Sequence, residues 1–365
     1  MADTLYFSRD TKVFVEIGNN VWEIPVLDGF SFSQATNSSE ITLNEMADGS
    51  GNSRRGRRMF NDSYAPAEWS FSTYARPFAS AGSGSKAADN AAKHHAVEEV
   101  LWAMMVGDAA YSSFSFTGFT ADTSDLDITF ANSNKTTLGT ANFYFQLGGA
   151  SSGNKTVYKI TGCVVNEASL DFDIDGIATI AWSGFGKIIE EGASAPTSTV
   201  TEGISSTSNF IRNRLTHLQL TTSEGGNHPA EYDLVLTGGS VTISNNISFL
   251  TPETLGVVNQ PLGHVTGTRG VSGSFTCYLN SEDNSSAELF ENLIEATDSI
   301  TNDFELVFKI GGESSTPRLE LNMASCHLEV PTHSIDDIIS LETNFHALPS
   351  TIEGTDELAI KYVGA

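Results

Sequence analysis

With 365 residues, 39% of them hydrophobic, the chain can bury the core of one large domain or of two ordinary ones, and it is no disulfide-stapled mini-protein. Its 19 Lys and Arg face 45 Asp and Glu, a net charge of -26 that repels phosphate over most of the surface and argues against sequence-specific duplex binding. Three cysteines without a CxxC pair, Cys163, Cys277 and Cys326, argue against structural zinc and fit buried packing thiols in a reducing compartment.

The opening MADTLYFSRD has no basic segment followed by an apolar one, and no run approaches the roughly 18 apolar residues of a spanning helix, so neither secretion nor a membrane span is expected. Gly (32) and Phe (22), with abundant Ser, Thr and Asn, predict short strands joined by polar turns, and hence a mainly β fold.

In chain order, weakly similar segments occur twice. FSRDTKVFVEI (Phe7 to Ile17) lines up with FIRNRLTHLQL (Phe210 to Leu220), setting Phe7 with Phe210, Arg9 with Arg212 and Ile17 with Leu220. WEIPVLDG from Trp22 then resembles YDLVLTGG from Tyr232, and SFSTY (Ser70 to Tyr74) resembles SFTCY (Ser274 to Tyr278). A helix is expected in each copy, over Glu98 to Met105 and Ala287 to Ile294, from apolar residues spaced i, i+3, i+4. KITGCVVN then matches NMASCHLE, setting Cys163 opposite Cys326, and IDGIATI (from Ile174) matches IDDIISL (from Ile335). Repetition in one order signals a duplicated unit. Residues 191–207, EGASAPTSTVTEGISST, read as the linker between a first domain at 1–190 and a second at 208–365. Alternation in FSFS (Phe30 to Ser33) and LDFDID (Leu170 to Asp175) predicts antiparallel sheets with one buried and one wet face, a β-sandwich with one flanking helix per copy.

Motifs with catalytic overtones fail on context. DFDIDG (Asp171 to Gly176) has the first half of an EF-hand loop, but Trp182 stands where the bidentate Glu belongs. GASSG (Gly149 to Gly153) lies between two strand-like runs and reads as a hairpin turn, not a nucleophile elbow. GSGSK (Gly82 to Lys86) lacks phosphate-loop spacing. His94 and His95 are adjacent and are read as solvent-facing residues ahead of the helix. No metal, cofactor or catalytic set is assigned, and an enzyme ranks third among the functional classes.

The charge anomaly is SRRGRRMF, which puts Arg54, Arg55, Arg57 and Arg58 within a long segment, Asn44 to Ala67, of an acidic chain. A solvated loop or a nucleic-acid patch would account for it; so would an arm whose acidic partner is another copy of the protein. The second copy offers only Arg269 in the corresponding loop. Residues 1–190 hold 13 basic and 22 acidic groups and residues 191–365 hold 6 and 23, an asymmetry suited to head-to-tail contacts.

Two β-sandwich copies, a long inter-strand arm and an acidic sheet face, with VWEIPVLDGFSF (Val21 to Phe32) running into the arm and then AEWSFSTY (Ala67 to Tyr74), resemble the major tail tube proteins of long-tailed bacteriophages from Leu5 to about Leu348. The resemblance implies two fused tube domains per chain joining into a ring-shaped β-barrel, a homotrimer with pseudo-sixfold symmetry, and rings stacked into the conduit for DNA ejection. It implies as partners the protein itself, the tape-measure protein, tail-tip or terminator proteins and non-specifically passing DNA, with no membrane, in a virion tail assembled in the host cytoplasm. Four inner strands per domain give about 24 per ring and a barrel roughly 37 Å across. Asp171, Asp173, Asp175, Asp336, Asp337 and Glu342 are the candidates for the lumen, and Arg54, Arg55, Arg57 and Arg58 for inter-ring contact through the Asn44 to Ala67 loop. The alternative is a β-sandwich adhesin or virion decoration protein, with the aromatic segment YSSFSFTGF (Tyr111 to Phe119) as its receptor- or glycan-binding loop.

Overall fold

Strict alternation decides the sheets. In Ala67–Tyr74, Ala67, Trp69, Phe71 and Thr73 are buried while Glu68 is exposed, and in Ile339–Ala347 the buried set Leu341, Thr343, Phe345 and Ala347 interleaves with exposed Glu342, Asn344 and His346. A period of two puts such sets on opposite faces of a strand, so one face joins the core and the other meets water.

The structure, a computed structural model, describes residues 6–27, 29–41, 49–51, 57–80, 92–130, 138–149, 155–192, 194–200, 207–222, 229–295, 304–314 and 317–364. The first stretch of chain forms β1 (Thr11–Ile17), β2 (Asn20–Ile24), β3 (Ser31–Ser33), β4 (Thr36–Ile41), β5 (Arg58–Tyr64), β6 (Ala67–Tyr74), β7 (Pro77–Ala79), β8 (His94–Ala96), α1 (Glu99–Val106), β9 (Tyr111–Ser112), β10 (Ser115–Phe116), β11 (Phe119–Ala121), β12 (Asp125–Thr129), β13 (Ala141–Leu147), β14 (Thr156–Asp173), β15 (Thr179–Gly186) and β16 (Ile189–Glu191). The remainder forms β17 (His217–Thr222), β18 (Glu231–Tyr232), β19 (Leu236–Ser244), β20 (Ser248–Leu250), β21 (Gly263–Val265), β22 (Gly270–Tyr278), α2 (Ser286–Glu295), β23 (Phe304–Ile310), β24 (Arg318–Leu328), β25 (Thr332–Ile335), β26 (Ile339–Ala347) and β27 (Ala359–Val363). The fold is mainly β, with two α-helices and a 19-stranded network of antiparallel pairings.

One pairing scheme is used twice. β1 lies between β2 and β13, and β17 lies between β18 and β23. Ala141 faces Cys163 across β13 and β14, and Phe304 faces Cys326 across β23 and β24, with a bulge directly after Ala141 in one ladder and after Phe304 in the other. Each thiol donates to the carbonyl three residues before it, Cys163 to Ile160 at 3.4 Å and Cys326 to Met323 at 3.7 Å. All three cysteines are free and buried. Thr179 opposes Tyr74 as Ser340 opposes Tyr278.

In one place the sequence match slips. Leu220 faces Tyr232 as Val15, not Ile17, faces Trp22, and the 3-10 turns Ser8–Asp10 and Asn213–Leu215 accordingly set Arg9 with Arg214, not with Arg212. A two-residue shift leaves the apolar alternation of a strand unchanged, so the pattern alone cannot exclude it.

β14 serves two layers. Its first part pairs with β13, and beyond a bulge between Val165 and Glu167 its last part pairs with β15 on one side and β19 on the other. Opposite the bulge, Gly184 admits the Val164 carbonyl and the Trp69 ring so closely that a Cβ would lie 2.0 Å and 2.5 Å from them. The β14–β19 ladder makes one sheet of eight strands, in the order β3, β6, β15, β14, β19, β22, β26, β25. β27 ties the layer behind it, pairing with β12 on one side and β24 on the other.

The segment after β16 packs against β2: the Thr199 and Val200 N–H groups both donate to the Val21 carbonyl, and Val200 is buried. β13 and β14 pair antiparallel up to Leu147 and Thr156, as expected of strands flanking a hairpin turn at the GASSG segment, which falls mostly outside the described residues; the GSGSK segment lies wholly outside them. One expectation needs correction. His94 and His95 are not solvent-facing: they form β8 and are 7% and 2% exposed, with His95 Nδ1 held 2.9 Å from Glu99 Oε2. Arg269, the arginine that the second copy offers in the loop corresponding to the arm, is held within its own chain: its guanidinium makes a bidentate pair with Glu357 at 3.0 and 2.8 Å and lies 4.3 Å over the Phe130 ring.

Candidate self-association surfaces

The wet face of the eight-stranded sheet is built from hydroxyls. Along one row Tyr74, Thr179, Asp171, Ser240, Ser274 and Asn344 stand opposite one another in turn, and the next row begins Ser72, Ala181, Ser169, Thr242 and Ser272. Neighbouring hydroxyls bond across strands, Ser31 to Ser70 at 2.8 Å and Ser169 to Thr242 at 3.2 Å. Residues 31–33, 67–74, 164–173, 179–186, 236–244, 270–278, 332–335 and 339–347, which make this sheet, include no Lys or Arg. Its wet positions carry Glu68, Glu167, Asp171, Asp173 and Glu342, so the fixed charge there is negative. Sequence reasoning missed Glu68 and Glu167, although both occupy polar positions of alternating strands.

The six acidic candidates separate into two groups. Asp171, Asp173 and Glu342 sit in strands and are exposed, with Glu342 opposite Thr276 on β22 and Thr332 on β25. Asp175, Asp336 and Asp337 occupy the turns at one end of the sheet. Asp175 pairs there with Arg214 at 3.2 Å, and Asp336 accepts from the Ser334 hydroxyl at 3.3 Å. DFDIDG therefore runs from a strand into a turn, with Asp171 and Asp173 on the ladder to β19.

Arg54 and Arg55 lie outside the described residues. Arg58 opens β5, and Arg57 precedes it with Nη1 3.4 Å from Glu40 on β4; both are exposed. The β4–β5 hairpin leans on the loop between β20 and β21, where the Tyr64 N–H donates to the Asn259 carbonyl at 2.9 Å and the Asn259 N–H to the Asp62 carbonyl at 3.1 Å. Exposed Ile41, Met59 and Phe60 on one arm and Leu255, Val257 and Leu262 beside it give this end of the molecule apolar side chains facing water.

The aromatic segment Tyr111 to Phe119 turns inward. Phe116 and Phe119 are buried, and Trp22 meets Tyr111 and Phe116 with ring centroids 5.0 and 5.6 Å apart. That leaves Phe114, 37% exposed, as its only exposed large apolar side chain.

Two further open surfaces are strand edges. Among the described residues, β3 has a ladder partner only in β6 and β25 only in β26, although both belong to the long sheet. A groove of about 530 Å³ lies beside β3, lined by Ser8, Arg9, Thr11, Val26, Gly29 and Phe30 among others. Exposed edges and uncovered apolar side chains are what a self-associating sheet protein presents.

Known proteins identify the class. The family model of phage tail tube proteins matches residues 83–347. The chain belongs to the phage tail tube protein family. It is also 31% identical to the tail tube protein pb6 of Escherichia phage T5 over 368 aligned residues, covering 97% of this chain and 75% of that protein. A tail tube protein is a structural component of the bacteriophage virion tail, not an enzyme, and it self-assembles into a tube. No helix among the described residues is long and apolar enough to cross a membrane.

Proposed function

We propose that this tail tube protein consists of two fused tube domains, 1–190 and 208–365 with the 191–207 segment between them, and that three chains close into a pseudo-hexameric ring. Rings then stack into the conduit through which DNA is ejected. The observation that carries this reading is the β14–β19 ladder, which joins two four-stranded groups edge to edge inside one chain and, among the described residues, leaves β3 and β25 open at the outer ends. A sheet with two open edges and a regular twist is completed by closure on further copies, and closure removes the aggregation hazard of free edges. Three chains of eight strands supply the roughly 24 staves of a barrel wide enough for duplex DNA.

In this reading the wet face lines the lumen. Asp171, Asp173 and Glu342, together with Glu68 and Glu167, repel phosphate, and a face without Lys or Arg offers DNA no counterion-releasing contact to hold it. Asp175, Asp336 and Asp337 then lie at the rim. The β4–β5 arm with Arg54, Arg55, Arg57 and Arg58 reaches the next ring, where carboxylates of the acidic body accept it. Tape-measure, tail-tip and terminator proteins meet the lumen and the two tube ends. The inward packing of Tyr111 to Phe119 removes the aromatic loop on which a receptor-binding reading would rest.

Negative-stain microscopy of the purified protein tests the proposal: rings or tubes with a central channel are expected, and particles that stay solid and monomeric overturn it. Replacing the four arginines by serine should leave rings intact and shorten tubes; long tubes at raised salt would remove the arm from the stacking contact.

A further inference from the structure

Among the described residues two half-joints of this chain stand open, and a whole joint of the same kind lies inside it. At the internal joint, β14 meets β19 with Ser169 opposite Thr242, Asp171 opposite Ser240 and Asp173 opposite Gly238. The turn after β14 then docks on the segment around the second 3-10 turn. Ile177 bridges Arg212, the Ala178 N–H donates to the Ile211 carbonyl at 2.9 Å, the Asn213 N–H to the Gly176 carbonyl at 3.2 Å, and Arg214 pairs with Asp175.

Each participant has a counterpart fixed by the ladders. β25 lies on β26, with Thr332 opposite Glu342, as the last part of β14 lies on β15, with Ser169 opposite Ala181. β3 lies on β6, with Ser31 opposite Ser70, as β19 lies on β22, with Ser240 opposite Ser274. The 3-10 turn Ser8–Asp10 precedes β1 as Asn213–Leu215 precedes β17.

Resting on the ring reading above, we infer that the joint between chains repeats the internal one in register: β25 of one chain pairs antiparallel with β3 of a second copy, Thr332 opposite Ser33, Ser334 opposite Ser31 and Ile335 opposite Phe30. Ile338 of the following turn then meets Phe7, and the Asp336–Asp337 turn meets Arg9.

Exposure supports the assignment. Phe172, the counterpart of Ile335, is 4% exposed at the internal joint, whereas Ile335 is 78% exposed; Ile211 is 0% exposed, whereas its counterpart Tyr6 is 47% exposed and the next residue, Phe7, is 71% exposed. The cavities agree. Around Asn213, Arg214, Thr216 and Gly238 the space is walled by Phe172 and Asp173 and measures about 220 Å³. The corresponding groove around Ser8, Arg9, Thr11 and Gly29 has no such wall among the described residues and measures about 530 Å³. Ile335 and Asp336 of a neighbouring copy are the residues that would supply it. The partner is thus a second copy of this chain, selected by sheet register, by an apolar plug and by one exposed cation facing two carboxylates.

Disulfide trapping tests the register. Antiparallel neighbours have Cα separations that accept a disulfide, a one-residue slip would put the two side chains on opposite faces, and a two-residue slip would bring the wrong pair together. In Ser31→Cys/Ser334→Cys protein, mild oxidation with copper phenanthroline should give a covalent trimer on a non-reducing gel, while Ser33→Cys/Ser334→Cys should cross-link at least tenfold less. Rings that form but link through the shifted pair overturn the register and leave the ring reading standing. Wild-type protein that forms no rings overturns the ring reading itself. As a second measurement, Arg9→Asp should weaken ring assembly and Asp336→Arg/Asp337→Arg in the same chain should restore it; no rescue removes the ionic part of the joint.

Discussion

The two helices occupy the same place in the chain order and live in different surroundings. All eight residues of α1 are buried, Glu99 included, whereas α2 has Leu289 as its fully buried apolar side chain and leaves Ile294 half exposed. The difference comes from what lies over them. β27 brings Tyr362 onto α1, where the Trp102 indole donates to the Tyr362 hydroxyl at 2.8 Å and that hydroxyl donates to the carboxylate of Glu98. Asn245, beyond β19, donates to the Met105 carbonyl at the far end of the helix at 3.0 Å and to Val165 at the bulge at 3.3 Å. One helix is thus a keystone between the halves of the chain and the other a surface strut. The sequences already differ in kind: after its first residue α1 (EVLWAMMV) is apolar on every side, as a buried helix is, whereas α2 (SAELFENLIE) carries one apolar stripe and a polar outer face.

The sharpest way to break the contrast is truncation. Trp102→Ala should cost about 3–5 kcal/mol in denaturant unfolding, because the ring is fully buried edge-on to Trp182 at 4.7 Å. Phe290→Ala on α2 should cost visibly less, and equal losses would end the distinction. Next comes the clamp over β27: Arg269→Ala leaves Glu357, 6% exposed, without its bidentate partner and should cost about 3 kcal/mol by the same measurement, with Arg269→Met milder.

Acidity supplies the third test. Burial raises the Glu98 carboxyl to about 7, opposed by the bonds it accepts from Tyr362 and from the Arg76 N–H. A folded-state pKa above the unfolded one means the native fold favours the neutral acid, so this stability is fully present below the ordinary carboxyl range and is lost as pH rises through about 7. A shift of that size corresponds to about 3 kcal/mol at most. The midpoint of unfolding should fall between pH 5 and pH 8, and Glu98→Gln should flatten that fall; an unchanged slope would show that Glu98 is not the group responsible. The smallest effect is expected at the internal joint, where Arg214→Ala removes a pair exposed to water on both sides and should change stability by less than about 1 kcal/mol.

What the sequence reveals and what it hides follow from distance along the chain. KITGCVVN and NMASCHLE can be matched because both place a thiol after a bulge that demands a small buried side chain at one position, a constraint that local residues carry. The dry and wet faces of β6, β14 and β26 are likewise legible, since alternation is written into consecutive residues. The two-residue slip at β1 is not, because a strand looks the same after it. Nor is the burial of His94 and His95, which depends on a ring of Phe78 stacked at 5.7 Å and on Glu99 one helical turn on. The groove beside Gly29 is assembled from segments that share no local pattern and could be found only in space.

β27 has a consequence for how the protein is made. It fills the gap between Asp125–Thr129 and Arg318–Leu328, so contacts separated by most of the chain must form before the first half has a closed layer over its helix. Such a high contact order slows folding and keeps early-emerging segments waiting for later ones during synthesis. A half-made molecule would lack Tyr362 over α1 and, in the ring proposed above, the β25 edge as well, so in that ring it would enter no polymer until its own translation had passed that point.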